Sequence, residues 1–273
     1  VTEALANLHR IAKAASVDEL WGLLLAVLAG YGFDRVTYGY TRYLRDGSIG
    51  APQDALFLSN HDRAALDGTP DMAFFMRTPM FRWVLTNTGA CSWQWAEDAR
   101  AAGRLTADEE AAMAVARRQG IVAGYSIAFD EVAPRARGAI GLTARPGLSQ
   151  ADVDALWAVS GDEIQVLCDM FHLRITHMPL RTQRRPLSPR QREALEWVAD
   201  GKTSLDVAQI MGISAAMVEK HLRLARETLE VETTAHAIAK AMLLNQIFLA
   251  PCPAPVAAPG NAQAGEAPQP AGG

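Results

Sequence analysis

A chain of 273 residues that is 49% hydrophobic can fill two cores, and a formal net charge of −4 with a pI of about 5.9 excludes a global positive field that would draw nucleic acid. Cys91, Cys168 and Cys252 lie far apart with no C-x-x-C pair, which argues for reduced thiols and against a disulfide framework or a metal site. The longest apolar run, Leu20 to Ala29, is too short to span a bilayer, and Glu3 sits in an amphipathic opening with no signal peptide, so a cytoplasmic chain without membrane contact is expected.

Leu5, Leu8, Ile11, Ala12 and Ala15 share one helical face. Ser16 with Glu19 forms a capping box for a second helix whose stripe is Leu20, Leu23, Leu24, Val27 and Leu28, ended by Gly30 and Gly32. Phe33 to Tyr43 switches to period two, with Val36, Tyr38 and Tyr40 opposing Thr37, Gly39 and Thr41, which is a strand. Asp46-Gly47 marks a turn and Ala55 to Leu58 a second strand, followed by short helices broken at Pro70 and Pro79. Thr106 and Glu109 cap a helix that runs to Arg118. Gly124 to Phe129 and Ala139 to Ala144 read as two more strands, and Ser149 with Asp152 opens a long helix bearing Val153, Leu156, Ser160, Ile164, Leu167 and Phe171. Helices around a small antiparallel sheet give an α+β class, an α-β-α sandwich over residues 1–171. His172 to Leu187, with two prolines and four arginines, reads as a linker, and the Pro/Ala/Gly composition of 250–273 predicts a disordered tail.

Residues 188–249 read as an all-α four-helix unit. Ser188, Pro189 and Gln191 form a capping box with proline at the first position, and Gly201 stops the first helix. Thr203 and Asp206 cap the second helix, and Ser214 caps a third with Val218, Leu222, Ala225 and Leu229 on its buried stripe. The turn Met211-Gly212-Ile213-Ser214 joins two of these helices into a helix-turn-helix. Between Arg181 and Leu249 there are ten basic and eight acidic residues, so this stretch is slightly positive while the remainder is negative. That asymmetry suits a module that reads double-stranded DNA.

The motifs L-S-P-R-Q-R-E, G-K-T-S, I-M-G-I-S, V-E-K-H-L and V-E-T-T-A-H-A-I-A-K-A are similar to the DNA-binding domain of the LuxR family of bacterial transcription regulators. The resemblance implies DNA contacts from Lys202, Thr203, Ser214, Lys220, Arg223 and Arg226, and a homodimer seam through Ile238, Met242 and Asn245. Two positions depart from the family pattern, which has a basic residue at Glu219 and an arginine at Thr234. The segment R-T-P-M-F-R-W-V-L-T-N-T-G-A-C-S-W, with Tyr38-Gly39 and Gly124-Tyr125-Ser126, resembles the same family's signal-binding domain. In members that bind acyl-homoserine lactones, an aspartate, a tryptophan and a tyrosine hold the ligand head. On ungapped alignment those positions carry Thr78, Ala65 and His61. Tyr38, Trp93 and Thr143 remain as candidate lining residues, with core packing the competing reading for Tyr38 and Trp93.

No G-x-S-x-G elbow, phosphate loop or ligand cluster suggests catalysis or a cofactor. The expectation is therefore a non-enzymatic regulator that binds a two-fold operator as a homodimer and takes a small molecule other than a standard acyl-homoserine lactone. The rival expectation is a ligand-independent dimerising protein whose sensor core is filled by its own side chains.

Overall fold

The computed structural model describes residues 3–62, 71–180 and 185–249. Two helices, α1 (Glu3–Lys13) and α2 (Val17–Gly30), open the chain. Ser16 Oγ accepts from the Glu19 N–H at 3.2 Å, and the Glu19 carboxylate accepts from the Ala15 N–H at 2.7 Å. Leu20, Leu24 and Leu28, four residues apart, are fully buried. Strand β1 (Phe33–Thr41) follows. Asp46 and Gly47, both at positive φ, form the expected turn, and a 3-10 turn (Pro52–Asp54) leads into β2 (Leu56–Ser59).

The next stretch holds α3 (Asp71–Phe75), α4 (Pro79–Thr86), β3 (Gly89–Ser92) and α5 (Gln94–Ala101). Neither β3 nor α5 was expected. Four residues are too few to display alternation, and α5 buries only two small residues, Ala96 and Ala99, with no stripe of large apolar side chains to mark it. Then come α6 (Ala107–Arg118), opened by the Thr106–Glu109 capping box, β4 (Gly124–Ala128), β5 (Arg137–Ala144) and α7 (Gln150–Thr176).

The five strands form one antiparallel sheet in the order β2-β1-β5-β4-β3. α1, α2 and α7 pack together on one face, while α4 crosses the other at β4. The first core, from Ile11 to Leu180, lies mainly between the sheet and the first group of helices. Helix α7 extends to Thr176, five residues into the stretch expected to be linker. His172 and Thr176 explain the extension, because both are buried. His172 Nδ1 lies 2.9 Å from the Tyr38 hydroxyl and its Nε2 2.9 Å from Glu131 Oε1, while Thr176 Oγ1 donates to the His172 carbonyl at 3.0 Å.

The remaining helices are α8 (Pro189–Ala199), α9 (Ser204–Met211), α10 (Ala215–Leu229) and α11 (Thr234–Leu243). Capping boxes at Ser188 and Thr203 and a cap at Ser214 start the first three, and Gly212 ends α9 in the left-handed conformation. Val207, Val218, Leu222, Ala225, Leu229 and Ala241 anchor a second, separate core. The two cores meet through hydrogen bonds at the end of α11. Asn245, at φ 53, donates to the Thr176 and Met178 carbonyls at 2.7 and 2.8 Å. Arg42 donates to Asn245 Oδ1, the Leu243 carbonyl and the Thr176 carbonyl at 3.0, 3.0 and 3.1 Å. The expected tail from Ala250 lies outside the described residues.

Candidate ligand cavity and DNA-reading helix

The alternation of β1 divides its residues between two environments. Val36 and Tyr38 point into the core beneath α2 and α7, and Thr37 and Gly39 face the opposite way, over a cavity of about 190 Å³. Its floor continues across the sheet, since Thr37 pairs with Gly141 of β5 and Gly141 with Ser126 of β4. Its roof is apolar and aromatic, with Met72, Phe74, Phe75, Met76 and Phe81 from α3, α4 and the turn between them. Neither Gly39 nor Gly141 has an atom within 4 Å of where a Cβ would stand. The floor is therefore open.

The candidate residues divide between lining and support. Thr78, Trp93 and Thr143 line the cavity. Thr78 Oγ1 is committed to the start of α4, accepting from the Phe81 N–H at 3.3 Å and donating to the Phe75 carbonyl at 2.8 Å. Trp93 Nε1 donates to Ser126 Oγ at 3.0 Å, so its indole is oriented by the floor of the cavity. Thr143 is 1% exposed, and its hydroxyl lies 3.4 Å from His61 Nε2.

His61, expected in the lining, sits behind Thr143 with its ring edge against Phe75. Burial, and next Arg35, push its pKa down to about 4, so the ring is neutral at pH 7. Tyr38 is also corrected. Its ring packs edge-on to Phe171 and its hydroxyl is bonded to His172, on the face of the sheet away from the cavity. Ala65 lies outside the described residues. Sequence reasoning missed Thr37, Gly39, Ser126, Arg137 and Gly141. The signal for the first two was present in the β1 alternation, once Val36 and Tyr38 are assigned to the core. Among the described residues no group of three or more His, Cys, Asp or Glu side chains is placed to hold a metal.

In the second unit, Lys202, Thr203 and Ser214 are exposed at the starts of α9 and α10, where the threonine and serine hydroxyls serve as caps. Lys220 and Arg223 are exposed on α10, and Arg223 forms an ion pair with Glu227 one turn on. Arg226 is half-buried and donates to Thr234 Oγ1 at 2.9 Å, tying α10 to α11. Glu219 accepts from Ser204 Oγ at 2.5 Å, so this carboxylate joins the two helices of the helix-turn-helix. On α11, Met242 is exposed and Ile238 packs on the second core, while Asn245, just past its end, is turned toward the first unit.

Comparison with known proteins agrees with this arrangement. Residues 16–175 match the family described as Autoinducer binding domain, and residues 185–241 match Bacterial regulatory proteins, luxR family. The chain is 42% identical over 66 residues to the transcriptional activator protein CarR of Pectobacterium carotovorum, covering 24% of this chain and 27% of that protein. It is 32% identical over 133 residues to the quorum sensing-dependent transcriptional regulator RpaR of Rhodopseudomonas palustris, covering 48% and 51%. These matches thus span about half or less of each relative's length. The crystal structure of Escherichia coli SdiA shares the fold, with a TM-score of 0.51 at 16% identity, covering 90% of this chain and 98% of that one. With an autoinducer-binding domain over more than half its length and a luxR-type helix-turn-helix behind it, the chain belongs to the LuxR family of bacterial regulatory proteins.

Proposed function

We propose that this chain is a transcription regulator that binds DNA as a homodimer and senses a small molecule other than a standard acyl-homoserine lactone. DNA reading falls to α10, whose Lys220 and Arg223 stand exposed beside the capped turn. Dimerisation is supported on the sensor unit by Val159, Val166 and Leu173, exposed apolar residues seven apart on α7 that form one line along the helix.

The observation that carries the ligand reading is the open, apolar cavity together with Thr78. At the position of the amide acceptor that a lactone ligand requires stands a hydroxyl already bonded to the start of α4 and to the last carbonyl of α3. An unmet buried amide costs about 1–3 kcal/mol, and a neutral hydroxyl returns less than a carboxylate. The cavity favours a ligand-binding sensor over one packed with its own side chains.

Calorimetric titration with acyl-homoserine lactones of several chain lengths tests this, in wild type and in Thr78→Asp with Ala65→Trp. Aspartate keeps the helix cap, so the variant is expected to fold. Binding is expected only in the double variant. Sub-micromolar binding of any of these lactones to wild type overturns the reading.

A further inference from the structure

We propose that the cavity takes a slender, mostly apolar molecule with a carboxylate at one end and a neutral hydroxyl or carbonyl at the other. The proposal rests on the reading of the cavity as a ligand site and adds the ligand's chemical class. Two lining atoms carry it, Arg137 Nε and Thr37 Oγ1, each buried without a hydrogen-bond partner among the described residues.

Among the described residues, Arg137 donates to the Asn87 carbonyl alone, through Nη1 at 3.3 Å. Its Nε is left over, a buried N–H that can donate to a carboxylate oxygen in a charge-assisted bond. No acidic side chain lies within ion-pair distance of Arg137 among the described residues. The other charged residues of the lining, Glu97 and Arg117, are paired at 2.8 Å, and Glu97 also holds Arg100 at 3.1 Å. Among the described residues, Arg137 is the one charged group of this mostly apolar lining without a carboxylate partner, which favours a single anionic group on the ligand.

The strand register fixes the rest of the shape. Arg137 pairs with Thr41 and Gly141 with Thr37, so the two unpartnered groups stand four residues apart, roughly 14 Å along the strands. Gly39 and Ala139 lie between them and Gly141 beside Thr37, with nothing within 4 Å above either glycine. An unbranched chain fits along this track under Met72, Phe75 and Phe81. A hydroxyl or carbonyl at its far end meets Thr37, which can both donate and accept.

Titration of the full chain with ω-hydroxydodecanoic acid and with its methyl ester, at the same pH and salt, tests the proposal. The acid is expected to bind about tenfold or more tighter than the ester, as expected for a charge-assisted pair. Arg137→Met should bring the acid down close to the ester's affinity, with a much smaller loss for the ester, which keeps only a neutral acceptor there. Thr37→Val should weaken both by a similar factor. Equal binding of acid and ester to wild type overturns the acidic-ligand class while leaving the cavity as a ligand site, and this comparison needs no variant to fold. Failure of both probes to bind overturns the slender acidic class, while the reading of the cavity as a ligand site is decided by the lactone titration of wild type and the double variant.

Discussion

Lys240 Nζ lies 2.9 Å from Asp54 Oδ2, and both side chains are more than nine-tenths buried, so α11 of the second unit is ion-paired to the turn that precedes β2 of the first. Taking one charge away leaves the other buried without this partner, a loss of about 3–5 kcal/mol, whereas replacing both with apolar side chains of similar size is often neutral. Lys240→Ala should therefore destabilise the chain strongly, and Lys240→Met with Asp54→Leu should recover most of that loss. Denaturant titration of the two variants beside wild type measures both effects. Equal stability of Lys240→Ala and wild type would refute the assignment.

His61 predicts a pH dependence. Its folded pKa of about 4 lies below the ordinary histidine value of 6.5, so between those values the unfolded chain holds the extra proton. Stability from this group is full above pH 6.5 and falls as the pH drops toward 4, by up to about 3 kcal/mol. The difference between the melting profiles of wild type and His61→Gln isolates it. The gap between the two should narrow on acidification, and a constant gap from pH 7 to 4.5 would exclude the effect.

Two glycines of the sheet should respond in opposite ways to alanine. A Cβ on Gly124 would stand 2.2 Å from the Leu142 carbonyl and 3.0 Å from the Trp93 ring, so Gly124→Ala forces β4 and Trp93 to move at a cost of about 1–3 kcal/mol or more. A Cβ on Gly141 meets nothing within 4 Å, so Gly141→Ala should leave the melting temperature unchanged or slightly raised while narrowing the cavity. Thermal melts and tryptophan emission distinguish the pair.

Glu219 offers a gain of DNA affinity at some cost in stability. Glu219→Lys removes the bond to Ser204, worth about 1–3 kcal/mol as a charge-assisted contact, and adds a cation to an exposed face. Non-specific duplex binding should tighten, and its slope against log salt should steepen by about 0.9. Arg223→Ala should shift both in the other direction. Unchanged slopes in both variants would mean that this face of α10 does not meet the phosphates.

Much of the architecture was legible because capping chemistry marks its boundaries. Ser16, Thr106, Ser149, Ser188, Thr203 and Ser214 each cap a helix at the position where its spacing to a Glu, Asp or Gln, or to an apolar stripe, had indicated one. β3 and α5 were not legible, since β3 is held by pairing with β4 and α5 by two small buried alanines. For the cavity, the sequence located the roof at Thr78 and the edge at Trp93. It did not show which face of β1 looks inward, because Tyr38 and Thr37 are both plausible ligand partners until α7 claims the tyrosine through Phe171 and His172. Arg137 was passed over for a related reason. A single arginine entering a strand is ordinary, and only the three-dimensional arrangement leaves its Nε without an acceptor among the described residues.

Arg42, Asn245 and the Thr176 carbonyl form a closed ring of hydrogen bonds, in which each member touches the other two and each comes from a different element end. A ring has no outermost bond to fray. If Asn245 withdraws, Arg42 loses one acceptor and Thr176 one donor together, in surroundings where water only partly replaces them. Loosening one corner therefore weakens the other two, so the bonds of this ring that join the helix-turn-helix to the first unit are lost together and not one by one.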